Sequence, residues 1–208
     1  EIIVLDRPNP IGGEMVQGPV SDAGLESYVN YMPLPVRHGL TLGELAGYIN
    51  KERRLPSPTS PNVQVPINAH LTVVSMQHWR RGEYFDQTGL TWVNPSPNLR
   101  SSTAAILYPG VGMIETTNIS VGRGTPTPFE HIGAPYINAA KLAAYLTARH
   151  IPGVAFTATS FPVDEDSNRY PYHGQTIPGV HIALTDRDAL NSPELGVELL
   201  SALQRLYP

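Results

Sequence analysis

Glu115 and Glu130 bracket a run, TTNISVGRGTPTPFE from Thr116 to Glu130, that is dense in reactive side chains and in residues that bend the backbone. Between the two carboxylates lie Asn118, Arg123 and Thr125; glycines flank the arginine and prolines follow it. Glu115 ends an apolar stretch, VGMI, and precedes a Thr-Thr-Asn turn. A carboxylate so placed is fixed by the backbone and partly desolvated, the setting of a general acid. Accepting hydrogen bonds from loop N–H groups is its plainer role. Glu130 offers a second carboxylate for acid–base work, or a structural partner for Arg123. A guanidinium between two glycines can clamp a ligand carboxylate or phosphate bidentately, with the loop backbone close by. It can equally pin the loop to the core.

A second group of candidates follows the opening run EIIVLD. Asp6 and Arg7 close it, and Asn9 sits in the turn-rich RPNPIGG beyond. Ligands of open α/β sheets bind at such strand ends, although structural pairing of Asp6 with Arg7 is as good a reading. Arg37 and His38 stand just before a helix signal. A lone histidine is more often a structural donor than a base, and no second histidine lies at metal-ligand spacing. Asp186 can cap or bind at the last strand end. Trp79 and Trp92 could floor a sugar site by stacking, with core packing as the default.

These side chains need elements to hold them. EIIVLD is β-branched and apolar on both faces, which predicts a buried parallel strand. A central strand at residue 2 needs neighbours, so the expectation is the C-terminal part of a longer protein. SDAGLESYVNYM predicts a short helix, and Thr41 with Glu44 is a capping box that predicts a helix from about residue 42 to 50. LPSPTSPN reads as a surface loop and HLTVVSM as a strand. The stretch from Gln77 to Ala105 reads as long and irregular, which is usually functional. AAILYPGVGMIE predicts a strand with a turn, opening a second domain after the Pro-rich NPSPN. YINAAKLAAYLTARHIPG predicts a helix capped by Asn138 and stopped at Pro152-Gly153. VAFTATSF and VHIALTD predict strands, and Ser192-Pro193 start a last helix with Leu195, Leu199, Leu203 and Leu206 on one face. Alternation of strands and helices points to an α/β or mixed α+β class.

The totals bound the function. With 208 residues, 41% of them apolar, the chain can bury one sizeable core or two small ones. A net charge of −4 gives no electrostatic case for nucleic acid or an anionic membrane. No apolar run approaches the ~20 residues of a membrane-spanning helix. Cysteine is absent, which removes disulfides, thiolate catalysis and Cys-based metal sites. No Walker loop, HExxH, GxSxG or dinucleotide glycine fingerprint is present.

Taken in order, LDRPNPIGG, PVRHGLTLGELA, TGLTWVNPSPNL, YPGVGMIETTNISVGRGTPTPFEHIGAPYI and GVHIALTDRD resemble the bacterial family once called DUF1343, the NamZ exo-β-N-acetylmuramidases of peptidoglycan turnover. The likeness runs over nearly the whole chain. It implies the second half of a Rossmann-like domain over residues 1–97 and a smaller α+β C-terminal domain over 98–208, with the active site in the cleft between them. The implied reaction releases terminal N-acetylmuramic acid from the non-reducing end of peptidoglycan fragments, outside the cytoplasm (secreted or periplasmic) and without a metal or organic cofactor. Glu115 matches the family's E-x-T-N glutamate and Glu130 that of its P-F-E segment, the two catalytic candidates. Asn118, Arg123 and Thr125 match its other polar positions, and Asp6, Arg7, Asn9, Arg37 and His38 join them as substrate-binding candidates. Arg123 or Arg37 could read the lactyl carboxylate of muramic acid. Val121 departs from the pattern, standing where many relatives carry Glu, and GQTIPG lacks a Cys common in the family. A sugar-binding protein without catalysis would share every one of these motifs; a nucleotide-binding protein fits poorly without a phosphate loop.

Overall fold

A computed structural model describes all residues except 23, 58 and 165–169. The chain divides into two compact units, Glu1–Leu90 and Thr91–Pro208, in a mixed α/β class.

In the first unit β1 (Ile2–Leu5) is the expected strand. After it come β2 (Gln17–Val20), β3 (Pro35–Arg37), α1 (Leu42–Glu52), β4 (Arg54–Ser57), β5 (Ser60–Pro66) and β6 (Leu71–Val74). β1 pairs in parallel with β6, Ile2 opposite Leu71 and Leu5 opposite Val74. β2–β3 and β4–β5 are separate antiparallel pairs. The capping box forms as expected: Thr41 Oγ1 accepts from the Glu44 amide, and Glu44 Oε2 accepts from the Thr41 amide. Helix α1 packs on β1 and β6, close enough that a Cβ on Gly43 would meet Val73 at 2.5 Å.

Three expectations for this unit fail. Residues 24–32 form a turn closed by Ser27 and Asn30, not a helix. Asn30 takes Ser21 Oγ on its side-chain oxygen and bonds the Leu25 carbonyl, an alternative that polar side chains offer against a helix. LPSPTSPN falls in a hairpin rather than a loop; Pro56 and Pro61 lie in a two-stranded ribbon whose strands are both edges among the described residues, where a missing N–H costs little. Finally, β1 is not buried: Ile2, Ile3 and Leu5 are each more than half exposed, because only β6 pairs with it among the described residues.

The second unit holds the larger core. Its elements are α2 (Ser102–Val111), β7 (His131–Gly133), α3 (Ala139–Thr147), β8 (Val154–Pro162), β9 (Thr176–Leu184) and α4 (Ser192–Leu206). The strands form an antiparallel sheet in the order β7-β9-β8. Ile132, Val180 and Ile182 are fully buried on it, as are Leu142 and Leu146 of α3 and Leu195 and Leu199 of α4. Asn138 and Asn191 cap α3 and α4 through their side chains.

AAILYPGVGMIE is a helix, not a strand. Ser101 caps it by accepting from the Ala104 amide, and a 3-10 turn, Gly112–Thr116, continues it. Seven of its residues are buried, so its sequence is apolar all round and lacks the helical period that would have marked it. Pro109 lies inside α2, and the Ser192 hydroxyl bonds the backbone on either side of it. Gly110 N–H donates to Ser192 Oγ at 3.0 Å, and that hydroxyl donates to the Leu107 carbonyl at 3.1 Å. Glycines make this approach possible: a Cβ on Gly110 would sit 1.9 Å from the Ser192 carbonyl oxygen.

Candidate active site

Glu115 rides on the 3-10 turn that extends α2, so its backbone is set by the α2–α4 contact rather than by a strand end. Its carboxylate faces Arg123. Arg123 Nη2 donates to Oε2 at 2.9 Å while Nε lies in close ionic contact with Oε1, so one hydrogen bond and one ionic contact join the pair. Both side chains are partly sheltered, at 23% and 33% exposure for Arg and Glu. Burial works against the guanidinium charge, but the hydrogen bond and charge of Glu115 outweigh it and hold Arg123 above its ordinary pKa.

The bent, polar run after Glu115 exists to place Arg123. Ser120 and Gly133 exchange two backbone hydrogen bonds, and the Phe129 amide bonds the Val121 carbonyl at 2.8 Å. The segment from Val121 to Phe129 is therefore a closed loop. Gly122 and Gly124 take φ of +76° and +81° on either side of the arginine, conformations that glycine adopts without strain. Thr125, 4% exposed, folds its hydroxyl back onto the Gly122 carbonyl at 2.6 Å. Phe129 is buried at φ +68° and sits under the guanidinium, its centroid 5.1 Å from Cζ. Tyr108 meets the same ring edge-on at 4.9 Å. Val121 is buried, which suits the apolar residue found there.

Glu130 stands at the far end of the loop. Ser101 Oγ donates to its Oε1 at 3.3 Å, and its backbone carbonyl accepts from Ile182 of β9. It leads into β7, not into a helix. Asn118 is exposed and bonded by two tyrosines: Tyr136 Oη donates to its side-chain oxygen at 2.8 Å and Tyr172 Oη to its backbone carbonyl at 2.6 Å.

The candidates of the first unit divide into two sets. Asp6 and Arg7 line a cavity of about 510 Å³ at the C-terminal ends of parallel β1 and β6. Asp6 also ties the strand to α1, accepting from Gly43 N at 2.7 Å and Thr41 Oγ1 at 3.1 Å. Asn9, Arg37 and His38 belong to the scaffold. Asn9 bridges Leu40 O and Ile11 N. Arg37 is 2% exposed, its guanidinium bonded to Gln17 Oε1 and the Ile11 carbonyl. His38 Nδ1 accepts from Leu40 N at 3.0 Å, which places any ring proton on Nε2, and burial lowers its pKa. Asp186 turns the chain after β9 by accepting from the Asp188 and Ala189 amides. Trp92 bonds the Leu99 carbonyl, while Trp79 lines the cavity.

Sequence reasoning missed the tyrosines around the loop. Each is an ordinary amphipathic residue in isolation, and only the fold brings Tyr108, Tyr136 and Tyr172 to it. Among the described residues, no cluster of three metal-ligating side chains occurs, and no helix is long and apolar enough to cross a membrane.

Comparison with known proteins settles the lineage. Residues 1–103 match the N-terminal domain of the exo-β-N-acetylmuramidase NamZ and residues 106–208 match its C-terminal domain. The chain belongs to the NamZ family. It is 42% identical over 206 residues to the peptidoglycan β-N-acetylmuramidase NamZ of Bacillus subtilis (strain 168), covering 99% of this chain and 46% of that protein. Crystal structures of two DUF1343 family proteins from Bacteroides fragilis NCTC 9343 share its fold. One superposes with a TM-score of 0.84 at 32% identity and the other with 0.70 at 28%, each over all of this chain and 51% of the other. The chain thus spans about half the length of the NamZ relatives it matches.

Proposed function

We propose that the protein is a glycoside hydrolase that releases terminal N-acetylmuramic acid from the non-reducing end of peptidoglycan fragments, acting outside the cytoplasm. The observation that carries this is the Glu115–Arg123 pair, a half-buried carboxylate fixed from both oxygens by a loop with no other evident purpose. The name and 42% identity of the Bacillus subtilis relative support the substrate class. Parallel β1 and β6 with α1 packed on them suit the second half of a Rossmann-like domain.

Glycosidic hydrolysis generally uses two carboxyl groups, one donating a proton to the leaving oxygen and one attacking or activating water. Glu115, paired with a guanidinium, suits the second role. Glu130, whose carboxylate takes its one hydrogen bond among the described residues from a neutral hydroxyl, suits the acid. Asp6 is the weaker candidate because the N-terminus of α1 already occupies its oxygens. A guanidinium has five N–H groups, so Arg123 retains donors beyond those on Glu115 for the lactyl carboxylate of muramic acid. The full-length protein given an N-acetylmuramyl-N-acetylglucosamine disaccharide should release both monosaccharides, read by mass spectrometry. Arg123→Ala should erase the preference for muramic over glucosamine substrates. Binding of the disaccharide without cleavage would instead favour a sugar-binding protein.

A further inference from the structure

The cavity at the ends of β1 and β6 is not explained by the Glu115 loop, and its walls have their own logic. Its volume, about 510 Å³, falls in the range of small-molecule sites, ~300–1,000 Å³. The Trp79 indole is one wall, with the Arg81 guanidinium 5.7 Å from its ring centroid. The indole N–H is buried and has no acceptor among the described residues, an unmade hydrogen bond beside the cavity. His78, beside it, holds φ at +63°, a conformation a histidine adopts at a cost and which tends to mark functional positions. Around the aromatic wall stand groups with capacity to spare. Among the described residues the Glu83 carboxylate accepts only from Arg80 N, through Oε2. The Arg7 guanidinium has no partner among the described residues, and the Gln77 side chain is exposed.

Charge narrows the ligand. Asp6 and Glu83 line the cavity together with Arg7, so the lining has no cationic excess for a phosphate, and no glycine-rich phosphate loop adjoins it. An aromatic face beside a ring of mixed donors and acceptors suits a ligand with one apolar face and a hydroxylated edge. We propose that this cavity is a saccharide subsite that takes a neutral N-acetylated amino sugar stacked on Trp79, with Glu83, Gln77 and His78 bonding its hydroxyls. The class of sugar rests on the glycosidase reading above; the cavity and its walls do not.

The test is binding of di-N-acetylchitobiose to the full-length protein by saturation-transfer NMR and calorimetry, in wild type, Glu115→Gln, Trp79→Phe and Trp79→Ala. Glu115→Gln, which should be inactive in hydrolysis, reads binding apart from turnover. Trp79→Phe, which keeps an aromatic face, should stay within about threefold, and Trp79→Ala should lose about tenfold or more with an unchanged melting temperature. Equal binding by Trp79→Ala and wild type would overturn the subsite. So would tighter binding of a sugar phosphate than of the neutral sugar. Glu115-dependent hydrolysis with no chitobiose binding would overturn the subsite and leave the glycosidase reading standing. Chitobiose binding that depends on Trp79, in a protein that hydrolyses nothing, would keep the subsite and remove the enzyme.

Discussion

Replacing Ser192 by alanine removes one oxygen from a site that is 0% exposed and keeps the rest of the packing. That oxygen accepts the Gly110 N–H, next to Pro109, and donates to the Leu107 carbonyl. Losing it strands the amide, a penalty of about 1–3 kcal/mol, and forfeits a second buried bond worth about 0.5–1.5 kcal/mol. No cavity larger than an oxygen is left, so the sum, about 1.5–4.5 kcal/mol, needs no packing term. For a chain of this size each kcal/mol lowers the melting temperature by roughly 2–4 °C, so the drop should be roughly 3–18 °C. Urea titration followed by far-UV circular dichroism should show a lower midpoint with the slope unchanged. A loss under about 1 kcal/mol, below the penalty expected for one stranded amide, would refute the claim that the serine completes α2. The 3-10 turn bearing Glu115 would then owe its position to something else.

Asp6→Ala, which removes the acceptor of Gly43 N and Thr41 Oγ1, should cost about 1–2 kcal/mol in chemical denaturation, the scale of a lost helix cap. Gly179→Ala places a Cβ 2.1 Å from the Ile132 carbonyl in the middle of the sheet and should abolish soluble expression or drop the melting temperature sharply. Acid sensitivity follows from His38 and His131, both lowered from 6.5, chiefly by burial. Below about pH 6.5 the unfolded chain takes up protons that the folded chain refuses. Stability should therefore fall as pH drops through 6.5 and keep falling until the folded-state pKa values are passed; His131→Gln should flatten that fall in pH-dependent melts.

Local signals were legible in the sequence. The Thr41–Glu44 box, the Asn138 cap and the leucine spacing of α4 each depend on residues within a few positions of one another, and each formed. α2 was illegible for a physical reason. A helix buried on most sides has no polar face, Pro109 reads as a terminator, and the hydroxyl that rescues it comes from Ser192, more than eighty positions away. The hairpin β4–β5 was hidden by its prolines. At the site, Glu115 and Arg123 stood out by residue type, and the flanking glycines marked a bent backbone. Their pairing became visible only once the Ser120–Gly133 bonds closed the loop. Arg37 shows the converse: its type suited a ligand carboxylate, and burial placed it among Ile11, Gln17 and Tyr84 instead.

Hydrolysis of a chromogenic N-acetylmuramic acid β-glycoside by the full-length protein, with Glu115→Gln beside it, tests the account most directly. The account predicts turnover by the wild type and a loss of ~100-fold or more in a variant that melts normally, the scale of acid–base catalysis. Turnover that survives the substitution would contradict the role given to Glu115, and no turnover by the wild type would contradict the glycosidase reading itself.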